Sequence, residues 1–258
     1  MNQIESKPLL RNTMYPPATG HLKPPSKFST FKEVRAPLEW LFAYNNRRKL
    51  ADVPRGDGGV LVLVPGYGAD EWSMRPLKKF LSSINYQVYD WGHGRNRGYV
   101  ERDTALLADT IKNISENHDD QAVTAIGWSL GGVLSREVAR LHPALIGEVI
   151  TMGSPIIGGP KYTLLANRYA KSNQVNLDDY EAEIHAINSQ GITQPITVIY
   201  SKSDGIVGWR ASVDHYNKQA KNIEVACSHL GMGVNAEVWQ IIAETLYDSS
   251  TEKNSVEN

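Results

Sequence analysis

The sequence predicts an α/β fold in which a mostly parallel central sheet is flanked by helices. Three observations carry the prediction. Val60-Leu61-Val62-Leu63-Val64 is a continuous apolar, β-branched run, as expected of a strand buried on both faces of a parallel sheet. Such runs alternate with stretches whose apolar residues repeat at helical spacing, which implies parallel pairing through right-handed crossovers. The run at 122–126 leads into Gly127-Trp128-Ser129-Leu130-Gly131, a glycine-bounded serine between strand and helix.

Taken in order, residues 1–27 are polar and contain Pro8, Pro16, Pro17, Pro24 and Pro25, and read as an extended or disordered arm. They lack the apolar stretch of a secretory signal, which points to the cytoplasm. Residues 28–50 read as an amphipathic helical segment interrupted near Pro37. Leu38, Trp40, Leu41, Phe42 and Tyr44 form its apolar side, and Arg47, Arg48 and Lys49 its basic end. That pattern suits packing on the body, or peripheral contact with a membrane surface. Residues 51–248 form the main domain, and 249–258 a polar, frayed tail.

Within the domain, the 60–64 strand ends in Pro65-Gly66-Tyr67-Gly68. A helix is expected from near Ser73, because Pro76 suits a first turn, with Leu77, Phe80, Leu81 and Ile84 facing inward. Residues 86–91 give a shorter strand. The loop at 92–98 follows, with His93 and Arg95 as candidates to line a substrate site. Leu107, Ile111 and Ile114 mark the next helix. Leu134, Val138 and Leu141 mark the helix after Ser129, which Pro143 ends. Strands are expected at 147–152, 196–200 and 223–227, and a closing helix carries Val238, Ile241, Ile242 and Leu246. Residues 156–194 break this rhythm. They read as a lid or cap inserted above the carboxyl ends of the strands, where ligands of open α/β sheets bind. Ile156, Ile157, Leu164, Leu165 and Tyr169 would bring apolar surface there.

Composition excludes several classes. Of 258 residues, 41% are hydrophobic and 21% charged, ordinary for a globular chain, and the formal net charge of −1 gives no reason to expect a nucleic-acid partner. Cys227 is the only cysteine, so neither an internal disulfide nor a cysteine zinc cluster can form. No run of about 18 apolar residues suggests a membrane-spanning helix.

The chemistry centres on Ser129. A serine in a tight strand-to-helix turn exposes its hydroxyl, and Gly127 and Gly131 let the two backbones close up around it. The hydroxyl needs a base, and the base needs a carboxylate to fix its tautomer. His185, His215 and His229 are the histidines to weigh. His229 follows the last strand, whereas His185 sits in the insertion and His215 in a polar helical stretch. Asp178, Asp179, Asp204 and Asp214 are the acids to weigh, and Asp204 follows a strong strand directly before Gly205. The Leu130 amide, next to the nucleophile, and the Tyr67 amide, in the loop after the 60–64 strand, are the candidate oxyanion donors. Trp128 is read as packing beneath the turn.

On these residues the chain resembles the α/β-hydrolase superfamily, and within it the lipase/esterase group. The resemblance spans about 60–246 and rests on Pro65-Gly66-Tyr67-Gly68, Gly127-Trp128-Ser129-Leu130-Gly131-Gly132, Thr151-Met152-Gly153-Ser154-Pro155, Ser203-Asp204-Gly205 and Ser228-His229. Two departures stand out. Pro65-Gly66 replaces the His-Gly that lipases of the family often carry, and Ile156 stands where they often have a histidine. The resemblance implies hydrolysis of a small-molecule or lipid carboxylic ester through an acyl-enzyme, with no metal or organic cofactor. Alternatives are an acyltransferase or thioesterase on the same triad, or an idle binding protein on this scaffold.

Overall fold

The computed structural model describes residues 22–35, 50 and 52–256. The apolar and basic side of the segment read at 28–50, from Leu38 to Lys49, lies outside the described residues, as does most of the arm at 1–27.

Among the described residues six strands form one parallel sheet: β1 (Val60–Val64), β2 (Gln87–Asp90), β3 (Val123–Trp128), β4 (Ile146–Met152), β5 (Ile196–Tyr200) and β6 (Lys221–Glu224). They lie in the order β2-β1-β3-β4-β5-β6. Every neighbouring pair is parallel, so the sheet is parallel throughout rather than mostly so. The central strands are the apolar runs of the sequence. Side chains alternate between two cores: Leu61, Leu63, Ile126 and Trp128 face one side, and Val60, Val62, Val64, Val123 and Ala125 the other.

Helices cover both faces. α2 (Glu71–Ser83) buries Met74, Leu77, Phe80 and Leu81 on the first face, beside Val238, Ile242, Ala243 and Leu246 of the last helix. On the second face lie α3 (Val100–Glu116), through Leu107, Ile111 and Ile114, and α4 (Leu130–Leu141), through Leu134 and Val138. Leu141, expected to continue that stripe, is exposed.

Several boundaries differ from expectation. Helix α2 starts at Glu71, where the Asp70 side chain accepts from the Trp72 amide. Pro76 therefore falls beyond the first turn, at the loss of one intrahelical bond. The final strand is 221–224, not 223–227, and its edge residues are polar. Val225, whose amide still donates to the Tyr200 carbonyl at 2.9 Å, and Cys227 are apolar because they enter the core as the chain leaves the strand. The last helix runs over Ala236–Val256, into the span expected as a frayed tail, with no glycine or proline there to stop it.

The insertion folds as a 3₁₀ turn (Gly159–Tyr162), α5 (Ala166–Asn173) and α6 (Leu177–Asn188), the last capped by Asn176. A four-residue helix, α7 (Trp209–Ser212), precedes β6, and α8 is the closing helix. Ahead of β1, α1 (Lys27–Lys32) passes into a 3₁₀ turn at Glu33–Arg35. Among the described residues no helix is long and apolar enough to cross a membrane, and no cluster of histidine, cysteine and acidic side chains could hold a metal.

Candidate active site

Ser129 sits where β3 ends and α4 begins, with φ 55° and ψ −122°. A side-chain-bearing residue is rare at such a φ, and the surroundings must hold it there. They do so by close backbone approach. A Cβ on Gly127 would lie 2.3 Å from the Gly132 nitrogen, and one on Gly131 would lie 2.1 Å from the Val64 carbonyl oxygen. Only glycine fits either place. The Ser129 amide donates to the Met152 carbonyl at 2.7 Å, fixing the turn to the end of β4.

The loop after β1 lies against the same turn. A Cβ on Gly66 would stand 3.1 Å from Ser129 Cβ. Neither the Tyr67 nor the Leu130 amide has a hydrogen-bond acceptor among the described residues. The loop is held from behind by Asn96, which is fully buried. Its side chain donates to the Pro65 carbonyl at 2.9 Å, and its backbone exchanges bonds with Gly68 and Ala69.

Asp204 and His229 meet although 25 residues separate them in sequence. Both are buried, and His229 Nδ1 donates to Asp204 Oδ2 at 2.6 Å. Asp204 Oδ1 accepts from the Ile206 and Val207 amides at 2.8 and 2.7 Å, so the carboxylate cannot swing away. With Nδ1 committed to the acid, Nε2 is the nitrogen left to exchange protons. The pair stands beyond the carboxyl ends of β5 and β6, on the side of the sheet where Ser129 follows β3. Gly153, directly after β4, passes so close that a Cβ on it would lie 3.0 Å from His229 Nδ1 and 3.1 Å from Asp204 Oδ2. Trp128 packs beneath the turn as expected, and its ring also lies 6.0 Å from the imidazole.

Burial alone would lower the affinity of His229 for a proton. The charge of Asp204 and its hydrogen bond, aided by the charge of Glu33, outweigh it, and the pKa is raised above the ordinary histidine value. Glu33 was not legible as part of this site: it belongs to the turn after α1, and nothing in its sequence surroundings marks it.

The other weighed residues are occupied elsewhere. His185 bonds the Tyr216 hydroxyl at 3.0 Å, and His215 is exposed. Asp178 is an exposed partner of Lys161, and Asp179 is exposed at the start of α6. Asp214 and His215 lie in a loop rather than the helical stretch expected. Asp214 is buried and pairs with Arg136 at 2.6 Å. His93 faces α3, with Nε2 2.9 Å from Thr110 Oγ1, away from Ser129. Arg95 lines an outer groove with Tyr67 and Arg168.

Residues of the insertion lie beside Ser129, which is half-buried. Tyr67, Leu130, Val133, Leu165, Tyr169, Tyr180 and Ile184 line a narrow cavity of ≈ 50 Å³ that reaches the serine. Tyr169 is pinned by its hydroxyl to the Gly98 carbonyl at 3.1 Å, and its ring meets Tyr67 edge-on. Backbone bonds from Leu164 to Ile206 and from Gly208 to Tyr162 stitch the start of the insertion to the loop after Asp204. Leu164 itself, expected near the strand ends, is 51% exposed and does not line the cavity.

A sequence profile of the Alpha/beta hydrolase family matches residues 61–239, a span that contains Ser129, Asp204 and His229. The chain belongs to the alpha/beta hydrolase family. Solved structures agree on the fold. An esterase of Pyrococcus furiosus is 20% identical with a TM-score of 0.54, covering 75% of this chain and 84% of that one. A lipase of Bacillus licheniformis is 15% identical with a TM-score of 0.58, covering 76% and 94%. A thioesterase domain from the curacin biosynthetic pathway is 12% identical with a TM-score of 0.53, covering 76% and 93%. The candidate residues of this family member thus lie at the carboxyl ends of its strands, while its similarity to these solved structures extends through the fold alone.

Proposed function

We propose that the protein is a serine hydrolase that cleaves carboxylic esters through an acyl-enzyme. The observation that carries the reading is the buried Asp204–His229 hydrogen bond at the strand ends that also hold Ser129 in its strained turn. In this reading Ser129 Oγ attacks the acyl carbon while His229 Nε2 takes its proton. The unengaged Tyr67 and Leu130 amides hold the oxyanion. His229 then returns the proton to the leaving alcohol, and water releases the acid by the same steps. Asp204 keeps the tautomer and steadies the imidazolium. Every step uses this chain's own groups.

The apolar lining of the cavity favours an aliphatic acyl chain. At ≈ 50 Å³ it is far smaller than the roughly 300–1,000 Å³ of typical ligand sites. Substrate entry therefore requires the insertion to move, as a lid does. Such a movement in α5 would have to break the bond from the Tyr169 hydroxyl to the Gly98 carbonyl. Exposed Phe28, Phe31 and Val34 on the N-terminal segment support peripheral contact with a lipid surface.

A panel of p-nitrophenyl esters of increasing chain length, run beside acyl-CoA substrates, tests the reading. Hydrolysis that rises from acetate to medium chains supports it. Turnover of the thioesters alone would move the assignment to a thioesterase, a reading to which the likeness to the curacin domain lends support. Acyl transfer to an added acceptor in place of hydrolysis would make it an acyltransferase.

A further inference from the structure

Two loops bring the acid and the base together, and a third segment joins them. The Glu33 carboxylate reaches across from the turn after α1. Its Oε1 accepts from the Gly205 amide at 2.8 Å and from the His229 amide at 2.8 Å, and its Oε2 accepts from the Leu230 amide at 3.0 Å. One side chain thus satisfies three backbone N–H groups, one beside Asp204 and two at His229. Charge-assisted bonds of this kind are roughly twice as strong as neutral ones. The surrounding contacts are built for the approach. Thr30 Oγ1 donates to the Gly205 carbonyl at 3.0 Å, and a Cβ on Gly205 would lie 2.3 Å from the Ser29 carbonyl oxygen. A Cβ on Gly208 would lie 2.2 Å from the Lys23 carbonyl oxygen. Gly205, which the sequence presents as a turn glycine, is required here by the passage of the N-terminal segment.

We infer that Glu33 is a positioning residue for catalysis, a carboxylate clamp that fixes the Asp204 loop to the His229 loop from outside the hydrolase core. The inference rests on the reading of Asp204 and His229 as acid and base. The clamp has two separable effects. Geometrically, it holds the imidazole in register with the acid. Electrostatically, it adds a second negative charge near His229 and favours the imidazolium. Asp204 and Glu33 are the ionised groups that act on His229 among the described residues. Trp128, Gly153 and Met232, which pack around it, are uncharged.

The test uses the full chain with Glu33→Gln, Glu33→Ala and Glu33→Asp. Thermal melting, kcat and KM for a p-nitrophenyl ester across pH, and the NMR titration of the His229 imidazole are measured on each. Gln preserves size but loses the charge and, at best, keeps the bonds to Gly205 and His229. It is expected to melt cooperatively and to lose roughly 10- to 100-fold in kcat with KM little changed. Removing the negative charge lowers the His229 pKa, so the neutral base persists to lower pH and the acid limb of the rate moves down. Asp keeps the charge but is one methylene short, so kcat falls while the limb stays near its wild-type position. If Ala does not fold, Gln and Asp still decide the question. Wild-type kcat and an unmoved limb in Gln would overturn the inference. So would a lower kcat that merely follows a lower melting temperature, with His229 titrating as in the wild type. A wild-type chain without ester turnover, whose His229 titration nevertheless falls in Gln, would sink the proposed function and leave the clamp standing.

Discussion

Asp204 holds His229 through a single carboxylate oxygen, and the other oxygen is tied to two amides. Asp204→Asn offers an amide where a carboxylate stood and supports the wrong imidazole tautomer. The fold should persist and kcat should fall by about 10⁴, as for the equivalent change in a serine protease; steady-state kinetics beside circular dichroism checks this. Because His229 must be neutral to act as base and its pKa is raised, the acid limb of kcat/KM should lie above the unperturbed value of about 6.5. The rate grows as pH rises through the folded-state pKa and is lost below it. A kcat/KM profile still flat well below pH ~6.5 would contradict a histidine base in this environment. At this scale the turn at Ser129 and the meeting of Asp204 with His229 were legible, since each residue follows a strand and carries its chemistry in its residue type. Glu33 was not. Its contact is with Gly205, 172 residues further along the chain, and local pattern carries no trace of it.

Among the elements, the glycine-framed turn and the central strands could be read because local constraints alone account for them. The register of β6 and the exposure of Leu141 could not, because tertiary packing decides which apolar residue is buried. Asp214 illustrates the same limit. It was weighed as an acid, yet its loop buries it against Arg136 with side-chain exposures of 0% and 2%. Asp214→Asn leaves the guanidinium buried without its counter-charge. Breaking such a pair costs about 3–5 kcal/mol, so chemical denaturation should show a loss of that order while the activity of the remaining folded enzyme is unchanged. The insertion gives a sharper contrast. Leu165 lines the cavity and Leu164 points to solvent. In the ester panel, Leu165→Ser should reduce the preference for medium chains over acetate, and Leu164→Ser should not. Equal chain-length profiles for both variants and wild type would remove the insertion from the acyl site.

At the scale of the whole molecule, the parallel sheet gathers its carboxyl ends on one side. The serine turn after β3, the loop after β1, the acid loop after β5 and the histidine loop after β6 all emerge there. The insertion after β4 and the N-terminal segment lie against them. Alternation of strands and helices made this architecture readable from sequence, whereas the approach of the N-terminal segment depends on contacts between distant parts of the chain. The central claim is that Ser129 is a nucleophile activated in this setting. A fluorophosphonate probe, with intact-mass detection and peptide mapping, tests it most directly. One adduct per wild-type chain is expected, located on Ser129, and none on folded Ser129→Ala. An unlabelled wild-type chain, or an equal adduct on the Ser129→Ala variant, would contradict it.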